Sequence, residues 1–266
     1  MSAVCLLKKA LYRIAISAFL LCAPLAWSDC IAEGEVELAR LDRVIDGDTF
    51  ELSDGRKVRL IGVNTPELQG GSGFPQAHAR DAQQFASSFL GTGGLLWLQV
   101  GAESKDRHGR WLMHVFDHAG RASLSEALIS RGLAFQAVHP PNLAYFECLR
   151  QAELAARLSG LGVWQAASFR TSSIAPQSSG FMLLTGQVLK VSRGGSSWWL
   201  ELEGDLVLRI DLNNQPYFDW NTLQALVGQS IEARGWLVRR DVKPNSGYAN
   251  WKMDVYHPAS IRMRIN

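Results

Sequence analysis

Apolar and polar positions alternate from residue 35 to 63, the period of half-buried strands, and change over 77–90 to the three-to-four spacing of a helix. Alternation returns over 95–116, broken by the polar run ESKDRHGR at 103–110. Two helical stretches follow, 123–134 and 142–158; two prolines announce the second, and Asn142 suits its N-cap. TSSIAPQSS, 171–179, has no apolar period and reads as a linker. Beyond it come the strand-like runs FMLLTGQVLKV, SWWLELEG, LVLRIDL, SIEARGWLV and WKMDVYH, with a helix-like interval at 222–226.

This pattern predicts an α+β chain, mainly β, in two units at 29–170 and 180–266, joined by 171–179. Five strands with a short helix between the third and fourth make the second unit a small OB-like barrel. Its Trp198, Trp199, Trp236 and Trp251 serve either as core or as stacking surfaces for bases.

Residues 1–28 run KKALYR, then IAISAFLLCAPLAW, then Ser28, the layout of a cleavable export signal. The 14-residue apolar run is shorter than the roughly 20 needed to span a bilayer, so no stable membrane span is expected after cleavage. The protein is then periplasmic or extracellular. Cys30 and Cys148 remain as an even pair in an oxidising compartment, which predicts a bridge; two unrelated thiols are the alternative.

With 47% apolar and 20% charged residues the chain is globular and not disordered. The formal net charge of +2 rests on Lys8, Lys9 and Arg13 of the leader, and without them it is −1. A broad electrostatic footprint for nucleic acid is therefore excluded, and an anionic ligand needs a local cluster.

Such a cluster lies in RVIDGDTFELSDGRKVRLIGVNTPE, residues 43–67. If Asp54-Gly55 is a two-residue hairpin turn, Asp48 lies opposite Ile61 and diagonal to Arg59. Gly47 and Gly62 bend these strands and bring Asn64-Thr65-Pro66-Glu67 back toward Asp48. Asp48 with oxygens from Asn64 and Thr65 suits a hard cation such as calcium. Arg59 and Arg110 are forked donors for phosphate oxygens, and Glu67 can orient or deprotonate a water. Ordinary surface ion pairs are the plain alternative. Weaker candidates are His108 beside Arg110, the pair His114 and His118 for zinc, and the glycine-rich loop 70–73, which lacks the Lys-Ser/Thr of a phosphate loop.

VIDGDT, an Arg five residues before an Asn-Thr-Pro-Glu turn, and DRHGR resemble the staphylococcal nuclease (thermonuclease) family, and the resemblance extends over 42–164 through ALISRGLAF, Pro141-Asn142 and GVW. It implies an OB-type five-stranded barrel with three helices and hydrolysis of DNA and RNA that depends on one calcium ion and leaves 3′-phosphate ends. It further implies metal ligation by Asp48 and by the Thr65 carbonyl, catalysis by Arg59, Arg110 and Glu67, and indirect support of the metal by Asp46. Asn64 departs from the family's pattern, which has a second ligating aspartate there. Its amide oxygen can still ligate, but one unit of attraction for the cation is lost. The retained Asp48, Arg59, Glu67 and Arg110 favour an active enzyme over a non-catalytic nucleic-acid-binding module. No protein partner is inferred, and the chain reads as a monomer.

Overall fold

The computed structural model describes residues 30–69, 76–91, 93–117, 120–166, 169–171, 174–175, 180–243 and 247–264. The expected export signal, the loop at 70–73, His118 and most of the expected linker lie outside the described residues.

In the first barrel β1 (Glu37–Asp46), β2 (Thr49–Leu52) and β3 (Lys57–Leu60) are followed by β4 (Val63–Asn64) and helix α1 (Ala79–Leu90), then by β5 (Leu95–Lys105) and β6 (Trp111–Phe116). The closed order is β1-β2-β3-β6-β5, with β3 and β6 parallel and the other neighbours antiparallel. Strand alternation builds the interior: Phe50, Leu52, Val58, Leu60, Leu98, Met113 and Val115 are almost wholly buried. Helix α1 buries Ala79, Ala82, Ala86 and Leu90. These small residues let it come so close that a Cβ on Gly47 would stand 2.8 Å from the Ala82 Cβ and 2.7 Å from Thr65 Cγ2. Only glycine allows the β1–β2 turn to lie against Thr65.

The β2–β3 hairpin is one residue out of the expected register. Thr49 pairs with Arg59, Phe50 with Val58 and Glu51 with Lys57. Leu52 N donates to Arg56 O, which closes a three-residue loop whose Gly55 has φ 85°. Asp48 therefore stands opposite Leu60, whose N–H donates to Asp48 O at 2.8 Å. A one-residue slip exchanges the faces of a strand. Asp48 still reaches Arg59, because it lies in the turn before β2, where the pleat does not fix its direction.

Three further elements complete the first unit: α2 (Leu124–Ser130), β7 (Phe135–Gln136), which pairs with β4, and α3 (Phe146–Leu158). Helix α3 begins four residues after the expected cap. Asn142 instead accepts from Glu103 N at 2.9 Å and donates to Glu103 O at 3.1 Å, so its amide is used at the end of β5. A disulfide joins Cys30 to Cys148 on α3 across a sequence separation of 118 residues.

The second barrel repeats the order. Its elements are β8 (Phe169–Arg170), β9 (Gly180–Gly194), β10 (Ser197–Leu202), β11 (Leu206–Asp211), α4 (Trp220–Gln224), β12 (Ser230–Arg239), β13 (Trp251–Asp254) and β14 (Ile261–Met263). β9 to β13 close because β12 pairs with both β13 and β9, and β11 runs parallel to β13. Asp219 caps α4, its side chain accepting from Thr222 N. Trp251 joins the core, Trp198 and Trp199 are half-buried, and Trp236 is 38% exposed.

The barrels are clasped. Arg157 of α3 forks onto Glu232 of β12, with Nη2 to Oε2 at 2.6 Å. Arg234 of β12 donates to Glu153 Oε1 at 2.6 Å and to Gln136 O at 3.2 Å, while Gln136 N donates to the same Glu153 oxygen at 2.7 Å. Phe181 and Trp236 stack in sequence behind Phe135 and Trp164. β8 pairs parallel with β9, so the chain already belongs to the second sheet by residue 169.

Candidate active site

The β1–β2 turn, the end of β3 and the 64–67 turn meet at one mouth of the first barrel, where a cleft of about 470 Å³ faces the second barrel. Asp46, Asp48, Arg59, Glu67 and Arg110 line it, and Asn64 and Thr65 lie behind Asp48, nearly inaccessible. Every position expected from the hairpin and from DRHGR thus falls in or beside one cleft.

Asp48 is the hub. Its Oδ2 accepts from Thr65 N at 2.8 Å and pairs with Arg59 Nη2 at 3.1 Å, while Oδ1 accepts from Thr49 Oγ1 at 3.1 Å. Arg59 Nη1 donates to Leu60 O at 2.8 Å and to Val63 O at 3.0 Å, and Nη2 donates to Asn64 Oδ1 at 3.1 Å. With the Asp48 pairing, four of its five N–H groups are engaged. Arg59 is therefore rigidly aimed before any ligand arrives.

Asn64 has a use for both ends of its amide. Its Oδ1 receives Arg59, and its Nδ2 donates to Thr65 O at 3.2 Å. A carboxylate could take the first bond but could not make the second.

Three acids crowd this mouth. Burial, then the adjacent Asp48 charge, raises Asp46 to about 7. Burial and Asp48 also raise Glu67, against the pull of Arg59 and Arg110. Glu67 is fixed by a reciprocal pair: its N–H donates to Gln76 Oε1 at 2.9 Å, and Gln76 N donates to Glu67 O at 2.9 Å.

Arg110 is positioned by Asp106, which the sequence reading left without a role. Asp106 Oδ1 accepts from the N–H groups of His108 and Arg110, and Oδ2 accepts from Arg110 Nε at 2.7 Å. Burial pushes the Asp106 carboxyl up, but these bonds outweigh it and hold the pKa below the ordinary value. The remaining guanidinium nitrogens of Arg110 stay available for a ligand. The signal was present as an Asp followed by Gly-Arg at turn spacing, an Asx-turn pattern.

Among the described residues, no three His, Cys, Asp or Glu side chains converge closely enough to hold a metal ion. The donor chemistry nonetheless suits calcium: Asp46, Asp48, the Thr65 carbonyl and the Asn64 amide oxygen are all hard oxygens. Two carboxylates crowded until one titrates near neutrality are the charge pattern a cation relieves. The two zinc candidates fare differently. His114 is buried on β6 against Tyr145, its ring 4.8 Å away, and burial lowers its pKa to about 4. It is a neutral wall residue. His118 lies outside the described residues, and His108 lines the cleft and accepts from Arg107 Nε.

Across the cleft from the acids stand His139 of the first unit and Trp236, Val238, Asp254 and Tyr256 of the second. Their aromatic members could not be placed from sequence, because no local pattern reports which face of one barrel meets the mouth of another. The enclosing walls, then the Arg59 charge, lower the pKa of His139, although its outer face is open to solvent.

Residues 57–166 match the family described as staphylococcal nuclease homologue. The thermonuclease of Staphylococcus intermedius is 34% identical over 145 residues, which are 53% of this chain and 83% of that protein.

Proposed function

Because the chain belongs to the staphylococcal nuclease family and is a hydrolase of phosphodiester bonds, we propose that it is an exported, calcium-dependent nuclease that leaves 3′-phosphate ends on DNA and RNA. The observation that supports this most is the convergence of Arg59, Arg110 and Glu67 on one cleft with Asp46 and Asp48. In this reading Arg59 and Arg110 grip the nonbridging oxygens of the scissile phosphate, and their hold strengthens as charge builds in the transition state. Glu67, with its carboxylate made more basic by burial, orients a water toward phosphorus and takes its proton. Asp48, the Thr65 carbonyl and Asn64 would hold the calcium ion, with Asp46 in support. Bound there, the ion would supply positive charge to offset the negative charge accumulating in the transition state.

Export is supported by the leader-like residues 1–28 and by the Cys30–Cys148 bridge, which belongs in an oxidising compartment. Among the described residues, no helix is long and apolar enough to cross a membrane. One observation favours a second reading, a binding module without turnover: the Asn64 oxygen is engaged by Arg59, and the Thr65 carbonyl by Asn64. Incubating a labelled single strand with calcium or with a chelator separates the two. Hydrolysis only with calcium, giving ends that a polymerase cannot extend until a phosphatase has acted, is the expected result. Binding without cleavage overturns the enzyme reading.

A further inference from the structure

The second barrel does more than flank the cleft. His139 and Tyr256 pack ring to ring, with centroids 4.4 Å apart, and Trp236 stands 6.1 Å from His139. Trp236 is backed edge-on by Phe181 at 5.0 Å, and Phe181 by Phe135 at 5.7 Å, so its plane is braced from behind. Even so, 38% of Trp236 is exposed, a large aromatic surface left open in a cleft that holds Arg59, Glu67 and Arg110. The brace is tied down by Arg234, whose guanidinium reaches Gln136 on β7, the partner strand of Asn64. A flat, rigid, partly wet aromatic surface beside two guanidinium cations suits a nucleobase next to a phosphate.

We infer that Trp236 and Tyr256 of the second barrel, with His139, form a base-stacking subsite that positions an unpaired base beside the scissile phosphate. The inference rests on the nuclease reading of the same cleft. Its physical basis is that stacking needs a free base face. A duplex keeps its base faces covered and offers one only by flipping a nucleotide, which costs a few kcal/mol. A single strand has little of that cost. Trp236 and Tyr256 are positioning residues for base and strand, while Arg59 and Arg110 answer to the phosphate alone.

The test is fluorescence anisotropy of the wild-type full chain in chelator, where no turnover occurs, with a labelled single-stranded adenine oligonucleotide, its duplex, and a single strand of equal length with abasic sugars. Tighter binding of the base-bearing strand than of the other two is expected, and it requires no variant. Trp236→Ala should weaken the base-bearing strand by about five- to hundredfold, the range for loss of one stacked base. It should leave the abasic strand within twofold, and Trp236→Phe should restore most of the loss. Under turnover the loss should fall on KM with kcat retained. Equal binding of base-bearing and abasic strands by the wild type, or an equal loss on both in Trp236→Ala, overturns the inference. Stacking as expected without calcium-dependent cleavage would instead remove the nuclease reading and leave the subsite standing.

Discussion

The two barrels share a strand order and a parallel pairing of third strand with fifth, yet they carry their charges differently. On the third strand of the first, Arg59 is held by two backbone carbonyls, an amide and a carboxylate at a cleft mouth. On the third strand of the second, Arg209 closes onto Asp254 at 2.6 Å, a third of its side chain exposed. The turn that gives the first barrel Asp46 and Asp48 corresponds to Arg193-Gly194-Gly195-Ser196 in the second, which has no carboxylate. The same architecture thus yields a reactive mouth where a guanidinium is held by backbone, amide and carboxylate together, and a quiet one where it meets carboxylates alone. What the second barrel contributes is shape: the aromatic wall.

The largest effect expected from breaking this arrangement is at the clasp. Arg234→Ala leaves Glu153, with a side chain only 7% exposed, without its cation, and should cost about 3–5 kcal/mol in denaturant melts. Arg209→Ala should cost less, about 1 kcal/mol, because its pair is more exposed and Asp254 keeps Lys252 as a partner. Equal costs would mean that the barrels are not held by the buried pairs. Next comes the chemistry. Arg59→Ala should lower kcat/KM by about 10²–10³-fold, as for loss of a preorganised donor to developing charge, and Arg209→Ala by less than about threefold. A matching loss in both would erase the distinction between the mouths.

Acid should distinguish the barrels as well. Burial lowers the pKa of His114 from 6.5 to about 4, so the folded state takes up its proton more weakly than the unfolded chain does. This contribution is complete above pH 6.5 and is lost as pH falls toward 4, about 3 kcal/mol in all. Urea midpoints at pH 7 and pH 4 should fall further in the parent than in His114→Phe. A parallel fall in both would place acid sensitivity elsewhere. The smallest effect is expected at Asn64. Asn64→Asp gives up the donor to Thr65 O and adds a buried carboxylate beside Asp48, which should lower apo stability by about 1–2 kcal/mol. The added charge should also reduce the calcium concentration needed for half-maximal activity. A variant as stable as the parent in chelator would show that the amide donor contributes nothing.

Much of the first barrel was legible because its signals are local. Alternation marked the strands, turn residues marked the hairpins, and the ordered motifs at Asp48, Arg59, Glu67 and Arg110 marked the mouth. The hairpin register failed by one residue, because Asp-Gly was read as the whole loop when Ser53 also belongs to it. Asn142 failed as a helix cap because a long-range bond to Glu103 competes for the same amide. For Trp236, sequence left core and stacking open. Its side depends on packing between barrels, which no periodicity encodes. Tyr256 was read only as the end of the strand-like run WKMDVYH.

The order of the chain gives the clasp a consequence in time. Every residue proposed to act on phosphate is in place by residue 110, and the helices of the same unit are complete by Trp164. Trp236 and Tyr256 come late in the chain, so a chain that enters its compartment N-terminus first presents them after the first unit. During that interval the nascent protein has a mouth without a wall. The stacking wall is then the last part of the cleft to be built, fixed when β12 docks and Arg234 finds Glu153.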